Sequence, residues 1–551
     1  MSDDVATLLR DHSYLWSQQA NWRMLWNVIA QYVMPAWDNF IGTITEGVIR
    51  TTRIFDSTGI MANERFAAAM EGMLTPRTQM WHDIVPADEE LKDDEEVQDY
   101  CALIRKILFK ARYRPKANFA SQMDEIYMQL GAFGNGPILI DEAMGKHLIY
   151  RSIPMNEVCW SLDAAGLVDT LYRKFPFTAH QILQMGKNHG WDIPEIVRAT
   201  YDKSPFQDFD VLHCVRPNPE RIRGAVGRKG MPFTSWYLLC EHRHMLACGG
   251  YRTFPYGVAR YRMAPREHYG RSPAAVSLPA IRTLNEQKKT ALRAGQKAVD
   301  PPLLLAEEGA LTPFSLRAGA LNYGTLSSDG TPLVQPLQVA GNYEIAKELM
   351  ELESTAINDA FLVSLFQILV QNPDMTATEA LIRAQEKGTL MAPAMGRQQS
   401  ELLGTMIVRE IDILGHAGVL PPPPRQLVES EQGLKIEYTS PLSKLMRAEE
   451  AQTIMTTING LAQIAAVKPE VLDVIDWQET PREFAEASGF PGKLLLEPEK
   501  VAEIQAQRAQ QMQAAQIAQA APGVSQAAKN LADAHQTLTG GGGANAGTAQ
   551  G

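Results

Sequence analysis

Apolar positions along the first part of the chain recur with helical spacing. Leu15, Trp22, Trp26, Ile29 and Val33 stand at steps of seven, four, three and four, one face of a helix that Pro35 ends. A second helix is predicted after "FDSTG", with Asp56 and Ser57 as N-caps, a stripe of Ala62, Phe66, Ala69, Met70 and Met73, and Pro76 as the stop. The run "ADEELKDDEE" (Ala87 to Glu96) reads as the solvated, acidic start of another helix. From Pro137 to about Arg173 the period shortens to that of strands, in "PILIDE" and "HLIYRSI". A helix from Thr178 interrupts, and strands return through "DVLHCVRP", "SWYLLCEHRHMLACGG" and "GVARYRM". Residues before about 280 therefore form a mixed α+β body.

Beyond it lies a different pattern. Ile281, Leu284, Ala291, Leu292, Gly295, Ala298 and Val299 make a narrow apolar stripe on a polar helix. That helix ends near Asp300, because a residue before proline disfavours helical geometry. Residues 302–341 hold short strand-like runs between turn signals at Asp329-Gly330, Pro332 and Pro336. A second helix follows, with Ile345, Leu349, Leu352, Ala356 and Ala360 at steps of four, three, four and four.

The two helices differ in sign. The first carries Arg282, Lys288, Lys289, Arg293 and Lys297 against Glu286 and Asp300, a net of +3. The second carries Glu344, Glu348, Glu351, Glu353 and Asp359 against Lys347, a net of −4. Matched length and opposite sign predict an antiparallel pair. Neither stripe is wide enough for a core, so further copies of the chain should pack beside it. Further on, Pro373 and Asp374 break the chain, Thr376 and Glu379 form a capping box, and a helix continues past an expected kink at Pro393 and Gly396. Pro421 to Pro424 form a stiff spacer, helices resume at Ser443 and about Glu497, and the end is a Gly-rich tail.

Composition narrows the classes. At 551 residues the chain should form several units, and 45% hydrophobic with 21% charged residues is ordinary for a folded protein. The start lacks the pattern of a secretory signal, and the longest apolar run, Phe361 to Val370, is too short to cross a bilayer. Five scattered cysteines suit a reducing compartment. A net charge of −11 argues against tight nucleic-acid binding but allows passing contact with DNA.

Candidate chemistry is thin. "GAFGNG" (Gly131 to Gly136) places a helix before the glycines and a strand after, the reverse of a phosphate loop, so Gly131 reads as a helix C-cap. Cys240, His242, His244 and Cys248 are zinc-ligand types, and within a strand the first three share a face. Their spacing matches no common site, and a half-buried strand face explains them equally, so no metal or cofactor is expected. No phosphate-loop lysine motif, nucleophile elbow or His-Glu-x-x-His is present.

Several stretches then resemble, in order, the portal proteins (head-to-tail connectors) of short-tailed bacteriophages. They are "FDSTG", "LTPRTQMW", "DTLYRKFPFTAHQI", "YGRSP", "LNEQKKTALRAGQKAVDPPLLL" and "MTATEALIRAQEKG", and the resemblance spans roughly residues 5 to 480. Arg77 departs from the second proline that many relatives carry there. The resemblance implies an α+β portal-type protomer: a mixed α/β wing (1–280 and 376–440), a two-helix stem (281–301 and 342–361) and a small β-rich clip (302–341). It further implies a tunnel loop (362–375), a helical crown (441–495) and an Ala/Gln-rich C-terminal helix with a flexible tail (496–551). Phe366, Gln367, Gln371 and Asn372 would lie nearest the DNA, or Phe366 would pack into the wing. The implied assembly is a homo-dodecameric ring at one capsid vertex of the virion, put together in the host cytoplasm. Implied partners are major capsid and scaffolding proteins, the terminase large subunit, tail adaptor proteins and double-stranded DNA, with no membrane and no enzymatic turnover. Another phage structural component, of tail or scaffold, and a metal-dependent hydrolase are the alternatives.

Overall fold

The computed structural model describes residues 2–38, 40–42, 47–92, 94–143, 147–305, 315, 317, 319–323, 325–337, 343–363, 393–430, 433–439, 453–461, 480–487, 500–501, 504–508 and 511. The chain divides after Met446 into two units. In the first, helices α1 (Ser2–Gln18) and α2 (Ala20–Val33) open the body, and α2 buries the predicted face through Trp26, Ile29 and Val33. Helix α3 (Thr58–Leu74) buries Ala62, Phe66 and Met70. Its cap comes from Asp56, which accepts from the Thr58 amide at 2.8 Å, while Ser57 makes no side-chain cap bond. The acidic run does begin a helix, α4 (Glu95–Arg112), where Asp94 accepts from the Val97 amide at 3.1 Å.

Strand β1 (His82–Pro86) pairs antiparallel with the last strand among the described residues, β12 (Leu434–Tyr438). Helix α5 (Phe119–Phe133) leads into β2 (Asn135–Ala143), the centre of a three-stranded sheet flanked by β3 (His147–Ser152) and β9 (Tyr256–Arg260). A five-stranded antiparallel sheet follows: β4 (Val158–Leu162), β5 (Val168–Thr178), β6 (Asp208–Pro217), β7 (Phe233–Leu239) and β8 (His244–Tyr251). Thr178 and Gln181 close a capping box that starts α6 (Ala179–His189). With α7 (Glu195–Lys203), α6 covers one part of the sheet, Ile182, Trp191 and Val197 packing with Phe175 and Phe209. Val5 and Leu8 of α1 pack instead with Tyr172, Leu212 and Trp236.

Gly131 is not the C-cap. Helix α5 runs through it to Phe133, and Gly134, in the left-handed region at φ 73°, is the cap. Gly131 is needed for packing: a Cβ there would lie 2.1 Å from Asn63 Oδ1. Gly134 also lets "YGRSP" close against it, since a Cβ on Gly134 would meet the Gly270 carbonyl at 2.4 Å. Asn135 clamps that approach, accepting from the Gly270 amide at 2.7 Å and donating to its carbonyl at 3.1 Å.

Helix α8 (Pro273–Val299) starts earlier than its apolar stripe suggests. Ser272 caps it by accepting from the Ala275 amide at 2.9 Å, and Pro273 stands in the first turn, where its missing N–H costs nothing. After α8 come β10 (Leu303–Leu305) and β11 (Val334–Pro336), paired antiparallel, then α9 (Tyr343–Ala360). A helix from 393 ends as α10 (Thr405–His416); its irregularity falls at Gln398–Gly404, which is π-helical, while Gly396 is regular helix. The π turn brings Gln398 Nε2 to the Arg260 carbonyl at 2.7 Å and Glu401 to the Arg260 guanidinium at 2.7 Å. Helix α11 (Arg425–Glu429) precedes β12 in this unit, and α12 (Thr480–Ala487) belongs to the second.

The body is pinned by a buried ion pair. Arg112 of α4 donates to Glu410 of α10 at 3.1 and 2.5 Å, Tyr150 of β3 donates to Glu410 at 2.6 Å, and Arg112 Nη1 lies 3.0 Å from His82 Nε2. Both charged side chains are fully buried. Although burial opposes its charge, Glu410 keeps Arg112 above its ordinary value.

Three buried histidines are held neutral. Burial, with Lys174 adding, pushes His12 down to about 4; burial and then Arg112 push His82 to about 2; burial and then Arg173 push His213 to about 3. An unfolded chain takes up these protons near pH ~6.5, so their contribution is full above that pH and is lost as pH falls. Each should withdraw about 2 kcal/mol by pH ~5. The melting temperature is expected to fall steeply between pH ~7 and ~5; a flat profile would contradict neutral burial.

Candidate assembly surface

Helices α8 and α9 pack against each other and run in opposite directions, both anchored in the body at one end. Ile281 and Leu284 of α8 are buried there, as are Ile357 of α9 and Phe361 just after it, whose ring lies 6.3 Å from Phe66. Asn285 ties α8 to the segment before α3: its amide oxygen accepts from the Phe55 amide at 2.7 Å, and its nitrogen donates to the Arg53 carbonyl at 3.2 Å. Past Asn285 no residue of α8 is fully buried.

The buried and half-buried positions of α9 include Ala346, Met350, Ser354 and Ile357, none of which the predicted stripe contains. The predicted stripe itself lies in the open: Ile345, Leu349 and Leu352 are exposed, Leu352 by 68%. A single chain thus leaves an apolar edge of α9 without a cover among the described residues. Leu349 lines a groove with Ala346 and with Thr283, Glu286 and Thr290 of α8. On the other side of α8, Leu292, Gly295 and Val299 line a second groove with Met350, and Val299 is 88% exposed. The helix pair therefore carries apolar surface on two opposite flanks.

Charge is distributed less simply than the sequence suggested. Lys288 donates to Asp56 of its own chain at 2.8 Å, and Lys289 to Glu286 at 3.0 Å. Burial opposes the Asp56 charge, yet Lys288 and Thr58 hold its carboxyl below the ordinary value. Glu351 pairs with Lys347 at 3.6 Å. Arg293, Lys297, Glu344, Glu348 and Glu353 have no ion pair among the described residues, and no ion pair there joins α8 to α9. Sequence reasoning read Asp56 as a cap of α3 but missed that it and the segment before it, through Asn285, anchor α8.

Just after α9, Leu362 is a non-glycine residue in the left-handed region at φ 59°. Val363 is buried, and Phe366, Gln367, Gln371 and Asn372 lie outside the described residues. Between β10 and β11, Leu326 bridges Pro332 around Asp329 and Gly330, the latter at φ 77°, so the turn signals there do mark a turn. Leu321 and Tyr323 nearby are exposed by 81% and 80%.

Cys240, His242 and His244 do not share a strand face. Residues 240–243 form the turn joining β7 to β8, with Arg243 left-handed at φ 48°. His244 lies 3.2 Å from the Asp192 carboxylate, and the Cys248 thiol accepts from Arg228 at 2.9 Å. No three metal-ligating side chains converge among the described residues. Nor is any described helix long and apolar enough to cross a membrane.

The family model for the bacteriophage head to tail connecting protein matches residues 5–496. The chain belongs to that family: it is a structural component of a phage particle, where head meets tail. It is 27% identical over 520 residues to the probable portal protein of Bordetella phage BPP-1, covering 93% of this chain and 92% of that one. With the portal protein of Salmonella phage epsilon15 it shares 26% over 538 residues, 96% of this chain and 95% of the other. Among solved structures, a chain of the virion of the native gene transfer agent particle matches with a TM-score of 0.39 and 12% identity, over 82% of this chain and 96% of that one.

Proposed function

We propose that the chain is the subunit of a dodecameric portal ring at one capsid vertex, through which double-stranded DNA enters and leaves the head. In this reading α8 and α9 are the stem and residues 302–341 the clip. The body is the wing, 362–375 the tunnel loop, and the segments after 441 the crown and C-terminal helix. One observation carries the reading: the stem pair bears apolar edges on opposite flanks, Ile345, Leu349 and Leu352 on one and Leu292 and Val299 on the other. Two different surfaces on opposite sides are what a head-to-tail contact needs, and such contacts close into rings when the rotation allows. Arg293 and Lys297 are then available to a neighbour's acids.

Glu344 and Glu348 have no ion pair among the described residues, which suits a passage that repels phosphate. Lining cations would bind phosphates cooperatively and arrest the duplex. The clip's exposed Leu321 and Tyr323 suit docking by the packaging motor's large subunit and later by tail adaptors, while the wing meets capsid and scaffolding proteins. No turnover is assigned to the ring; the driving energy comes from the motor. Assembly takes place in the host cytoplasm. Reversal of Glu348 and Glu351 to Lys is expected to leave rings of normal size but to reduce packaged DNA about tenfold or more, with tighter, salt-sensitive duplex binding. Normal packaging by such rings would reject the lining assigned to α9.

A further inference from the structure

The loop between β6 and β7, residues 218–231, reverses the sign of this acidic chain. It carries Arg221, Arg223, Arg228 and Lys229 against Glu220 alone. It has a defined shape: Asn218 donates to the carbonyls of Arg228 at 3.2 Å and Met231 at 2.9 Å, and the Ile222 amide donates to Lys229 at 2.7 Å. Arg228 is anchored on the Cys248 thiol at 2.9 Å, whereas Arg221, Arg223 and Lys229 have no ion pair among the described residues. At the tip Val226 is 99% exposed and Ile222 56%. A phosphate backbone would satisfy the cations and leave these two side chains in water. An acidic protein surface with an apolar spot would satisfy both.

The chain itself presents one. At the start of α4, Asp88 and Asp94 use their carboxylates on capping, and Glu89 meets Lys92 at 3.6 Å. Glu90, Glu95 and Asp99 are exposed without an ion pair among the described residues, and Leu103, one turn beyond Asp99, is 45% exposed. We propose that the β6–β7 loop of one subunit docks on the acidic start of α4 in the next, with Val226 and Ile222 against Leu103. The proposal rests on the ring reading, in which each body meets its neighbour through two different surfaces.

Two experiments on the full-length assembled protein test it. In a Cys248→Ser background, Val226→Cys with Leu103→Cys should give, on mild oxidation, a ladder of covalent multimers reaching the full ring. Separately, Arg221→Glu, Arg223→Glu and Lys229→Glu together should weaken subunit association about tenfold in a salt titration. Glu90→Lys, Glu95→Lys and Asp99→Lys added to that variant should restore it. Rings of normal size with neither cross-link nor charge effect would overturn the docking while leaving the ring intact. So would a triple reversal that spares the ring and instead abolishes binding of a duplex DNA probe. A wild-type chain that never associates rejects the ring reading and the docking together.

Discussion

Replacing Leu349 and Leu352 together with Asp is expected to give a folded chain that no longer assembles. Leu349 is 47% and Leu352 68% exposed in the single chain, so the substitution removes little internal packing. In a ring each would be covered by the neighbouring stem. Burying a leucine contributes about 1.5–3 kcal/mol, so losing two weakens each contact by about 3–6 kcal/mol before the cost of desolvating two carboxylates. That corresponds to a loss of at least about a hundredfold per contact, repeated at every subunit boundary. Sedimentation should show monomers, with circular dichroism and melting close to wild type. Rings of wild-type size would remove the α9 edge from the interface; an unfolded product would mean that the edge packs within the chain.

Glu410→Ala is expected to destabilise the body by about 3–5 kcal/mol, because it strands the fully buried Arg112 charge beside a neutral His82. Trp81, Phe109 and Phe119 surround the guanidinium and offer its charge only their ring faces. Removing both charges, as Arg112→Met with Glu410→Leu, should recover much of the loss, since the stranded charge is then gone. A chain of this size has more than one unit, so the readout is the position of the body's own melting transition. Equal losses in the single and double variants would show that shape, not charge, dominates.

The sequence was most legible where one chain supplies the whole environment. The Trp26, Ile29 and Val33 face, the α3 stripe and the strands around "HLIYRSI" and "DVLHCVRP" all formed as their periodicity required. It was less legible where neighbours override period. Gly131 looked like a cap because glycine is common there, yet Asn63 needs its missing side chain and the cap falls at Gly134. The Cys240 to His244 run looked like a strand because its types alternate, but a left-handed Arg243 makes a turn of it.

On the helix pair the comparison of period with burial is informative. Periodicity picked out Ile345, Leu349 and Leu352 as an apolar stripe for further copies to cover, and within one chain these are exposed while Ile357 is buried and Met350 half-buried. Period alone cannot tell an apolar face that packs within a chain from one left for another chain. Likewise, the opposite net charges of α8 and α9 were legible, but not that Lys288 is already taken by Asp56, which is far away in sequence.

Electron micrographs of the purified wild-type chain bear most directly on the whole reading. Closed, symmetric rings around a central opening wide enough for a duplex are the expected image. Compact monomers at every concentration, or open filaments without a closed ring, would contradict it.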